Sequence, residues 1–233
     1  MPRPLALGGI ELLGQMPNAS NATFLVRCAA DGEEVLAIYK PRRGETPLWD
    51  FPDGTLHRRE VAAYVTARAL GWPDVPPTVL RDGPAGPGSV QLFVDADPSE
   101  HFFTLEAGRA EDFRRVALFD ALVNNADRKA GHCLLGSDGR IWLVDHGVCF
   151  AAEPKLRTVI WTFAGDPIEP DLRADLARVR DELEDHDAPL RHELAVLLAA
   201  EEVDATARRA RRLADAGRFP EPGPGRPFPW PPI

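Results

Sequence analysis

Two aspartates stand where a catalytic cleft would need them. Asp127 lies in a polar segment, residues 124–131, that follows a helical pattern, and Asp145 follows the β-like run 141–144. A helix that ends in a polar loop and a hairpin strand that ends in an acid can direct two carboxylates into one cleft. Phosphoryl transfer needs such a pair, because one carboxylate orients or deprotonates the acceptor hydroxyl while the other holds a metal on the phosphates.

The elements that must position these residues can be predicted from apolar spacing and turn-forming residues. The pair Asp31-Gly32 between two β-rich runs is typical of a hairpin, and Gly71 with Pro73 ends a helical pattern. Strands are predicted at 9–16, 23–28, 35–40, 78–80 and 89–94, with a loop at 41–55 and a helix from about 56 to 70.

The second half of the chain follows a different pattern. Residues 112–123 predict a strongly amphipathic helix, and two β-like runs at 132–135 and 141–144 predict a hairpin. Three helical segments are predicted between 170 and 216. Residues 217–233 contain seven prolines and are either a loose tail or an extended strap.

This order predicts an α+β fold with two lobes. Residues 1–95 would form a β-rich N-lobe with one helix, which binds a nucleotide. Residues 96–216 would form a helical C-lobe with an inserted hairpin that carries the catalytic and metal-binding loops, and residues 217–233 would form a Pro-rich tail.

Two segments resemble a known superfamily. The residues Asn-Ala-Asp-Arg at 125–128 resemble the catalytic loop of atypical kinases, both of the phosphatidylinositol 3- and 4-kinases and of the HipA-like serine/threonine kinases. Asp-His-Gly at 145–147 resembles their metal-binding Asp-x-Gly. The resemblance covers residues 10–150, and small uncharacterised kinase-like proteins of actinobacteria look most similar. It implies a two-lobed protein-kinase-like fold.

The resemblance also implies roles for single residues. Lys40, in the run 37–41, resembles the lysine that binds the ATP phosphates, and Glu60 resembles the helix glutamate that pairs with it. Asp127 would act on the acceptor hydroxyl, and Arg128 would steady the loop or the transferred group. Asp145 would hold the metal.

Further contacts to ATP follow from position in the chain. Ser20 and Asn21 lie in the loop between the first two strands, where the family covers the phosphates, and their N–H groups and side chains would form an anion nest. The strand with Gln91 and Phe93 would present its backbone to adenine. An ordinary core strand is the alternative for that segment.

His132 departs from the family pattern, because asparagine usually stands five residues after the catalytic aspartate. Mg²⁺ prefers oxygen ligands, whereas imidazole suits softer ions such as Mn²⁺. His132 is therefore predicted to bind the metal beside Asp145. Direct contact with a phosphate and a simple buried role at a strand start remain open.

The resulting hypothesis is an ATP-dependent phosphotransferase that uses Mg²⁺ or Mn²⁺ and an unidentified hydroxyl acceptor, on a small molecule or a protein. Alternatives are a pseudokinase that binds nucleotide as a scaffold, and a nucleotidyltransferase that transfers AMP. A metal-dependent hydrolase built on His132, Asp145 and His146 is a further alternative.

Composition limits the partners and the compartment. The net charge of −9 argues against a nucleic-acid partner, and the arginine-rich run 208–212 has acids nearby that predict a solvated, salt-bridged face. No stretch is long and apolar enough for a membrane span, so no membrane insertion is expected. The three cysteines form no C-x-x-C pair, which favours reduced thiols in a cytoplasmic protein. The oligomeric state stays open.

Overall fold

The computed structural model describes residues 1–17 and 21–233. Within these ranges, strands and one long helix dominate the N-terminal part, and helices dominate the rest. The strands are β1 (Gly9–Gln15), β2 (Phe24–Ala30), β3 (Glu33–Pro41), β4 (Thr78–Gly83), β5 (Gly86–Leu92), β6 (Cys133–Leu135) and β7 (Ile141–Leu143). The helices are α1 (Arg3–Leu7), α2 (Leu56–Leu70), α3 (Phe102–Leu105), α4 (Ala110–Val123), α5 (Pro170–Glu184), α6 (Pro189–Leu197) and α7 (Ala200–Ala216).

The first five strands form one antiparallel sheet in the order β1-β2-β3-β5-β4. Ala37 and Tyr39 of β3 are buried on the face that α1 covers with Leu5. Because neighbouring side chains of a strand alternate between the two faces, Lys40 projects from the opposite face. Its register partner on β5 is Ser89. The pleat of the sheet therefore turns the Lys40 ammonium towards α2.

Helix α2 is fixed at both ends. The carboxylate of Glu45, from the segment before the helix, accepts the N–H groups of Leu56 at 3.1 Å and His57 at 2.8 Å. These first N–H groups of a helix have no partner within the helix, so the carboxylate stabilises its start. Gly71, with φ of +86°, ends the helix in the left-handed conformation that glycine adopts readily. The position of Glu60 in the middle of α2 is thereby set.

The C-terminal helices pack as their sequence predicts. Leu172, Leu176, Val179 and Leu183 recur along one face of α5 and are all buried. The apolar face of α2 joins the same large cluster as α4 to α7. In the described part of the chain, none of the helices combines the length and the apolar character that crossing a bilayer requires.

The predicted α+β order and the inserted hairpin are confirmed. The three helices predicted between 170 and 216 are α5, α6 and α7. The predicted loop at 41–55 contains one short 3₁₀ turn, Arg42–Gly44, and is otherwise irregular. Helices α1 and α3 were not predicted, because five and four residues are too few to show a helical period.

The Pro-rich segment 217–233 is an extended strap rather than a loose tail. Its carbonyl groups act as hydrogen-bond acceptors, which proline retains although it lacks an N–H. The Thr158 N–H donates to the Pro227 carbonyl at 3.0 Å, and the Ala130 N–H donates to the Pro232 carbonyl at 2.9 Å. The strap therefore supports the segment around residues 127–131 from outside.

Cys28, Cys133 and Cys149 are all free and buried, as predicted for reduced thiols. Burial raises the pKa of each thiol above its ordinary value, that of Cys133 to about 12. Since the thiolate is the reactive form, we expect the native protein to be unreactive towards a thiol-specific disulfide reagent at pH 8. Three equivalents should react once the chain is unfolded in denaturant. Prompt labelling of the native protein would contradict this packing.

Candidate functional site

Lys40, Glu60 and Asp145 meet although they come from β3, α2 and the segment after β7. The Lys40 ammonium donates to Oε1 of Glu60 and, at 2.9 Å, to Oδ1 of Asp145. Burial by itself would lower the pKa of Lys40, but the two carboxylates together raise it above its ordinary value. The ammonium is therefore charged at neutral pH.

Glu60 joins the two halves of the site. Its Oε1 accepts from Lys40, and its Oε2 accepts the backbone N–H of His146 at 2.9 Å. The side chain is almost fully buried, so its charge must be compensated by these donors. A displacement of α2 would change the positions of the lysine and of the segment that carries Asp145 together.

Asp145 combines a constrained backbone with an accessible carboxylate. Its φ is +63°, in the left-handed region that aspartate tolerates better than most residues. Its side chain is 51% exposed, and Oδ2 lies 3.4 Å from Nε2 of His132. The Lys40 ammonium lowers the pKa of Asp145 well below its ordinary range. The carboxylate is therefore charged and open on one side.

Asp127 lies nearby in a different environment. Its backbone N–H donates to Oδ1 of Asn125 at 3.0 Å, and its Oδ2 lies 3.5 Å from the Lys129 ammonium. Burial raises the pKa of Asp127 above its ordinary value; Lys129 counteracts this effect and Asp145 adds to it. A carboxylate with a raised pKa accepts a proton more readily, which suits a general base.

Arg128 is completely buried beneath this loop. Its guanidinium donates to both oxygens of Asp120 at 3.0–3.1 Å, to the Val144 carbonyl at 3.0 Å and to Nε2 of His146 at 2.8 Å. The prediction offered two roles for Arg128. Steadying the loop agrees with this burial, whereas contact with a transferred group does not, because the guanidinium faces only protein.

His132 lies beside Asp145 as predicted, and its side chain is 16% exposed. Burial lowers the pKa of His132 to about 4, so the ring is neutral near pH 7. Nδ1 lies 3.4 Å from the Lys129 N–H, and Nε2 faces Asp145. Because Nδ1 accepts the Lys129 N–H, the ring proton lies on Nε2, towards Asp145. The ring could bind a metal through Nε2 only after this proton moves to Nδ1 and the long Lys129 contact is lost.

The donor set suits a metal that is shared with phosphates. Within residues 1–17 and 21–233, no three His, Cys, Asp or Glu side chains converge as a self-sufficient metal site. Mg²⁺ bound to nucleotide keeps several waters and takes only one or two carboxylates from the protein. Asp145 supplies one accessible carboxylate, and His132 supplies a neutral nitrogen beside it. Asp145 fits such an ion, whereas the imidazole of His132 suits a softer ion such as Mn²⁺, and the two residues do not form a resident metal cage.

The predicted phosphate loop is described only in part. Ser20 lies outside the described residues. Asn21 is held in the structure by its own side chain, since Oδ1 accepts the Thr46 N–H at 2.7 Å and its carbonyl accepts the Thr23 hydroxyl at 3.2 Å. The side-chain oxygen of Asn21 therefore fixes the segment before α2, and its role as a phosphate ligand stays a prediction.

The predicted adenine contacts need correction. Gln91 is buried in the middle of the sheet between Ile38 of β3 and Thr78 of β4, and its amide donates to the Thr78 hydroxyl at 2.9 Å. The N–H of Phe93 donates to the Leu36 carbonyl at 3.0 Å. Gln91 is thus a core residue, and Phe93 has already used the N–H that adenine would need.

Sequence reasoning missed the polar partners beneath the loop. Asp120 is fully buried and binds Arg128, and Asn125 is fully buried and donates to Asp120 at 2.9 Å. Asp120 stands between apolar residues on the buried face of α4, and a carboxylate there needs a buried cation. An acidic residue at this apolar position of the helical pattern was the signal that could have identified the Asp120–Arg128 pair.

Two known proteins are similar to this chain in sequence. The chain is 43% identical over 262 aligned positions to Protein Rv2133c of Mycobacterium tuberculosis (strain ATCC 25618 / H37Rv), with 97% of this chain and 93% of that protein covered. It is 32% identical over 184 positions to phosphatidylinositol 4-kinase gamma 4 of Oryza sativa subsp. japonica. This match covers 62% of the chain but only 33% of the rice protein. No family model matches the chain.

The fold is also similar to a solved kinase structure. The crystal structure of the Helicobacter pylori proinflammatory kinase CtkA superposes with a TM-score of 0.54 and covers 91% of this chain and 94% of that chain. At 10% sequence identity this similarity concerns the fold alone. It confirms the predicted two-lobed kinase-like fold. The likeness to HipA-like kinases stays a prediction.

The Asp120–Arg128 pair provides a test of the support beneath the loop. Changing Asp120→Asn keeps the shape but leaves a buried guanidinium without its counter-charge. We expect the free energy of unfolding to fall by about 3–5 kcal/mol in denaturant titrations. Asp112→Asn, on the exposed side of the same helix, should cost no more than about 1 kcal/mol. Equal losses for the two variants would contradict the buried pair.

Proposed function

We propose that this chain, which belongs to the family of Protein Rv2133c, is a metal- and ATP-dependent phosphotransferase. One observation carries the proposal: the Lys40 ammonium lies between the carboxylates of Glu60 and Asp145. A lone strand lysine would extend into solvent. This lysine is instead held in place and stays partly accessible, so a nucleotide phosphate would find a fixed positive charge there.

In this proposal, Lys40 and Glu60 form the phosphate-binding unit. Glu60 limits the lysine to one orientation, and its bond to the His146 N–H links that orientation to Asp145. Lys40 would stabilise the negative charge of the nucleotide phosphates. Because its positive charge is fixed before any ligand binds, little rearrangement is needed when charge develops.

Asp127 is the proposed base. Its carboxylate would orient the acceptor hydroxyl and take up its proton as the acceptor oxygen bonds to the γ-phosphorus, while the bond from that phosphorus to ADP breaks and ADP leaves. Asp145 would hold a divalent metal together with His132. A divalent ion held there would supply positive charge against the nucleotide phosphates. Arg128 would contribute by positioning, through the loop that carries Asp127.

The adenine contact is proposed for the segment that follows β5. Val94 has no backbone hydrogen-bond partner among the described residues, whereas Phe93 before it donates to Leu36 and Asp95 after it accepts the Ser137 N–H. Val94 therefore offers free backbone groups at the predicted junction between an N-lobe of residues 1–95 and a C-lobe of 96–216. That division, with 217–233 as a separate tail, belongs to the proposal.

The second candidate is a nucleotide-binding scaffold without transfer. His132 favours it, because the ring stands beside Asp145 where the family has an oxygen ligand, and imidazole is a poor ligand for Mg²⁺. AMP transfer is a third outcome of the same cleft. The experiments below identify the acceptor and the preferred metal, Mg²⁺ or Mn²⁺.

Labelled nucleotide separates these candidates. With ATP labelled at the γ-phosphate and Mg²⁺ or Mn²⁺ present, we expect label to appear on the protein itself, on phosphate released to water or on an added acceptor. Label transferred from the α-position instead would indicate AMP transfer. Binding by calorimetry without transfer of either label would favour the scaffold. Lys40→Met should abolish binding in every case, and tight binding by that variant would remove the basis of the proposal.

Asp145 tests the metal-binding step. Asp145→Asn removes the charge and should reduce metal-dependent ATP turnover at saturating ATP by about 100-fold or more. Asp138→Asn, in the exposed turn between β6 and β7, is the matched control and should keep full activity. His132→Asn, which restores the usual ligand, should retain activity and shift the preference from Mn²⁺ towards Mg²⁺. Unchanged turnover in Asp145→Asn would refute the assignment.

A further inference from the structure

A large cavity lies apart from Lys40 and its two carboxylate partners. It is a cavity of about 940 Å³ between α7, residues 152–157 and the strap residues 218–227. Its lining contains none of the predicted site residues. The volume is within the range of small-molecule pockets in proteins.

The cavity carries a concentrated positive charge. Within the described ranges, its lining includes seven lysine and arginine side chains but a single carboxylate, that of Glu221. The whole chain has a net charge of −9, so this balance is the reverse of the average surface. Such a local excess attracts anions, and the concave walls strengthen the potential.

Three of the seven cations already have structural partners. Arg209 is buried and donates to the carbonyls of Leu122 and Ala151. Lys155 pairs with Asp50, and Arg218 donates to a carbonyl. These side chains hold the walls together.

The other four are Arg157, Arg208, Arg212 and Arg226. Among the described residues, no carboxylate lies within 4.0 Å of any of these four guanidinium groups. Burial, together with the nearby charges of Arg212 and Arg208, lowers the pKa of Arg209 to about 10. The positive charge of these four arginines is therefore not neutralised by the protein and acts on the cavity.

The arginines of α7 divide between two faces. Arg208 and Arg212 are four residues apart and line the cavity, whereas Arg211 pairs with Glu184 outside it. Among the described arginines of the run 208–212, only Arg211 forms the predicted salt bridge. A run that looks uniform in sequence thus directs two guanidinium groups at the same space.

Aromatic and apolar side chains complete the walls. Trp49 and Trp161 line the cavity, and the Trp49 side chain is 93% exposed although it is among the largest apolar groups of the chain. Planar guanidinium groups form paired hydrogen bonds with phosphate oxygens, and aromatic rings give an organic group a surface to pack on.

We propose that this cavity is a binding site for a small phosphorylated molecule, in which Arg157, Arg208, Arg212 and Arg226 bind the phosphate groups. The site does not depend on the proposed phosphotransfer, because none of the residues proposed for that reaction lines the cavity. Its position links it to the catalytic loop. The Arg157 N–H donates to the Asn125 carbonyl at 2.9 Å, and its carbonyl accepts the Arg128 N–H at 3.0 Å. These bonds flank Asp127, so an anion on Arg157 would lie against the loop of the proposed base.

Calorimetric titration with inorganic pyrophosphate tests the site, with a chelator present and nucleotide absent. We expect binding to the intact chain that weakens with salt. Binding should weaken about tenfold or more in the double variant Arg208→Gln/Arg212→Gln, because charged hydrogen bonds to two guanidinium groups are lost. Arg211→Gln, on the same helix, is the matched control and should bind as the native chain does. We expect the native chain, the double variant and Arg211→Gln to have equal melting temperatures, which would verify that these exposed arginines are not needed for folding.

The Lys40→Met variant separates this site from the nucleotide cleft. It should lose ATP binding and keep pyrophosphate binding. Loss of pyrophosphate binding in Lys40→Met, or unchanged binding in the double variant, would overturn the proposal. Absence of pyrophosphate binding to the native chain would also overturn the proposal. The same holds if an RNA oligonucleotide binds and pyrophosphate does not. Citrate that binds as tightly as pyrophosphate would overturn the assignment to phosphate.

Discussion

A full positive charge in the interior is the constraint on which the site depends. Arg128 has no contact with solvent, and a guanidinium remains charged in any protein. Its N–H groups must therefore find acceptors inside, and they do so on Asp120, Val144 and His146. These acceptors come from α4, from the end of β7 and from the segment after Asp145. One buried group thus sets the spacing between the two loops that carry the proposed chemistry.

Glu60 connects the sheet with the helical part of the fold, just as Arg128 connects the two loops. The sheet packs around its own small apolar cluster, while α2 packs into the large cluster of the C-terminal helices. The bond between Lys40 and Glu60 therefore connects two separately packed bodies across a polar contact. Such a contact is strong only in one geometry, so it helps to set the placement of the sheet relative to the helices, in addition to the packing of α2 against β4 and β5.

The sequence predicted what local pattern and order determine. The order of strands and helices along the chain and the helices of the second half follow from period and spacing. The pairing of Lys40 with Glu60 and the placement of Asp145 near them followed from the resemblance to atypical kinases. Gln91 was misplaced because a buried strand and a ligand-facing strand have the same apolar pattern, and only the pairing with β4 separates them. The burial of Arg128 and the division of α7 between Arg211 and its neighbours depend on tertiary packing, to which no local pattern responds.

The strap has a consequence for how the molecule is made. A chain is synthesised from its N-terminus, and its parts fold as they leave the ribosome. The Ala130 N–H, however, finds its acceptor on Pro232, which is translated long after the loop itself. The loop around Asp127 can therefore reach its final hydrogen bonding only after nearly the whole described sequence has emerged. Nascent chains would carry an unfinished centre, so assembly of the cleft is delayed until a late step of biosynthesis.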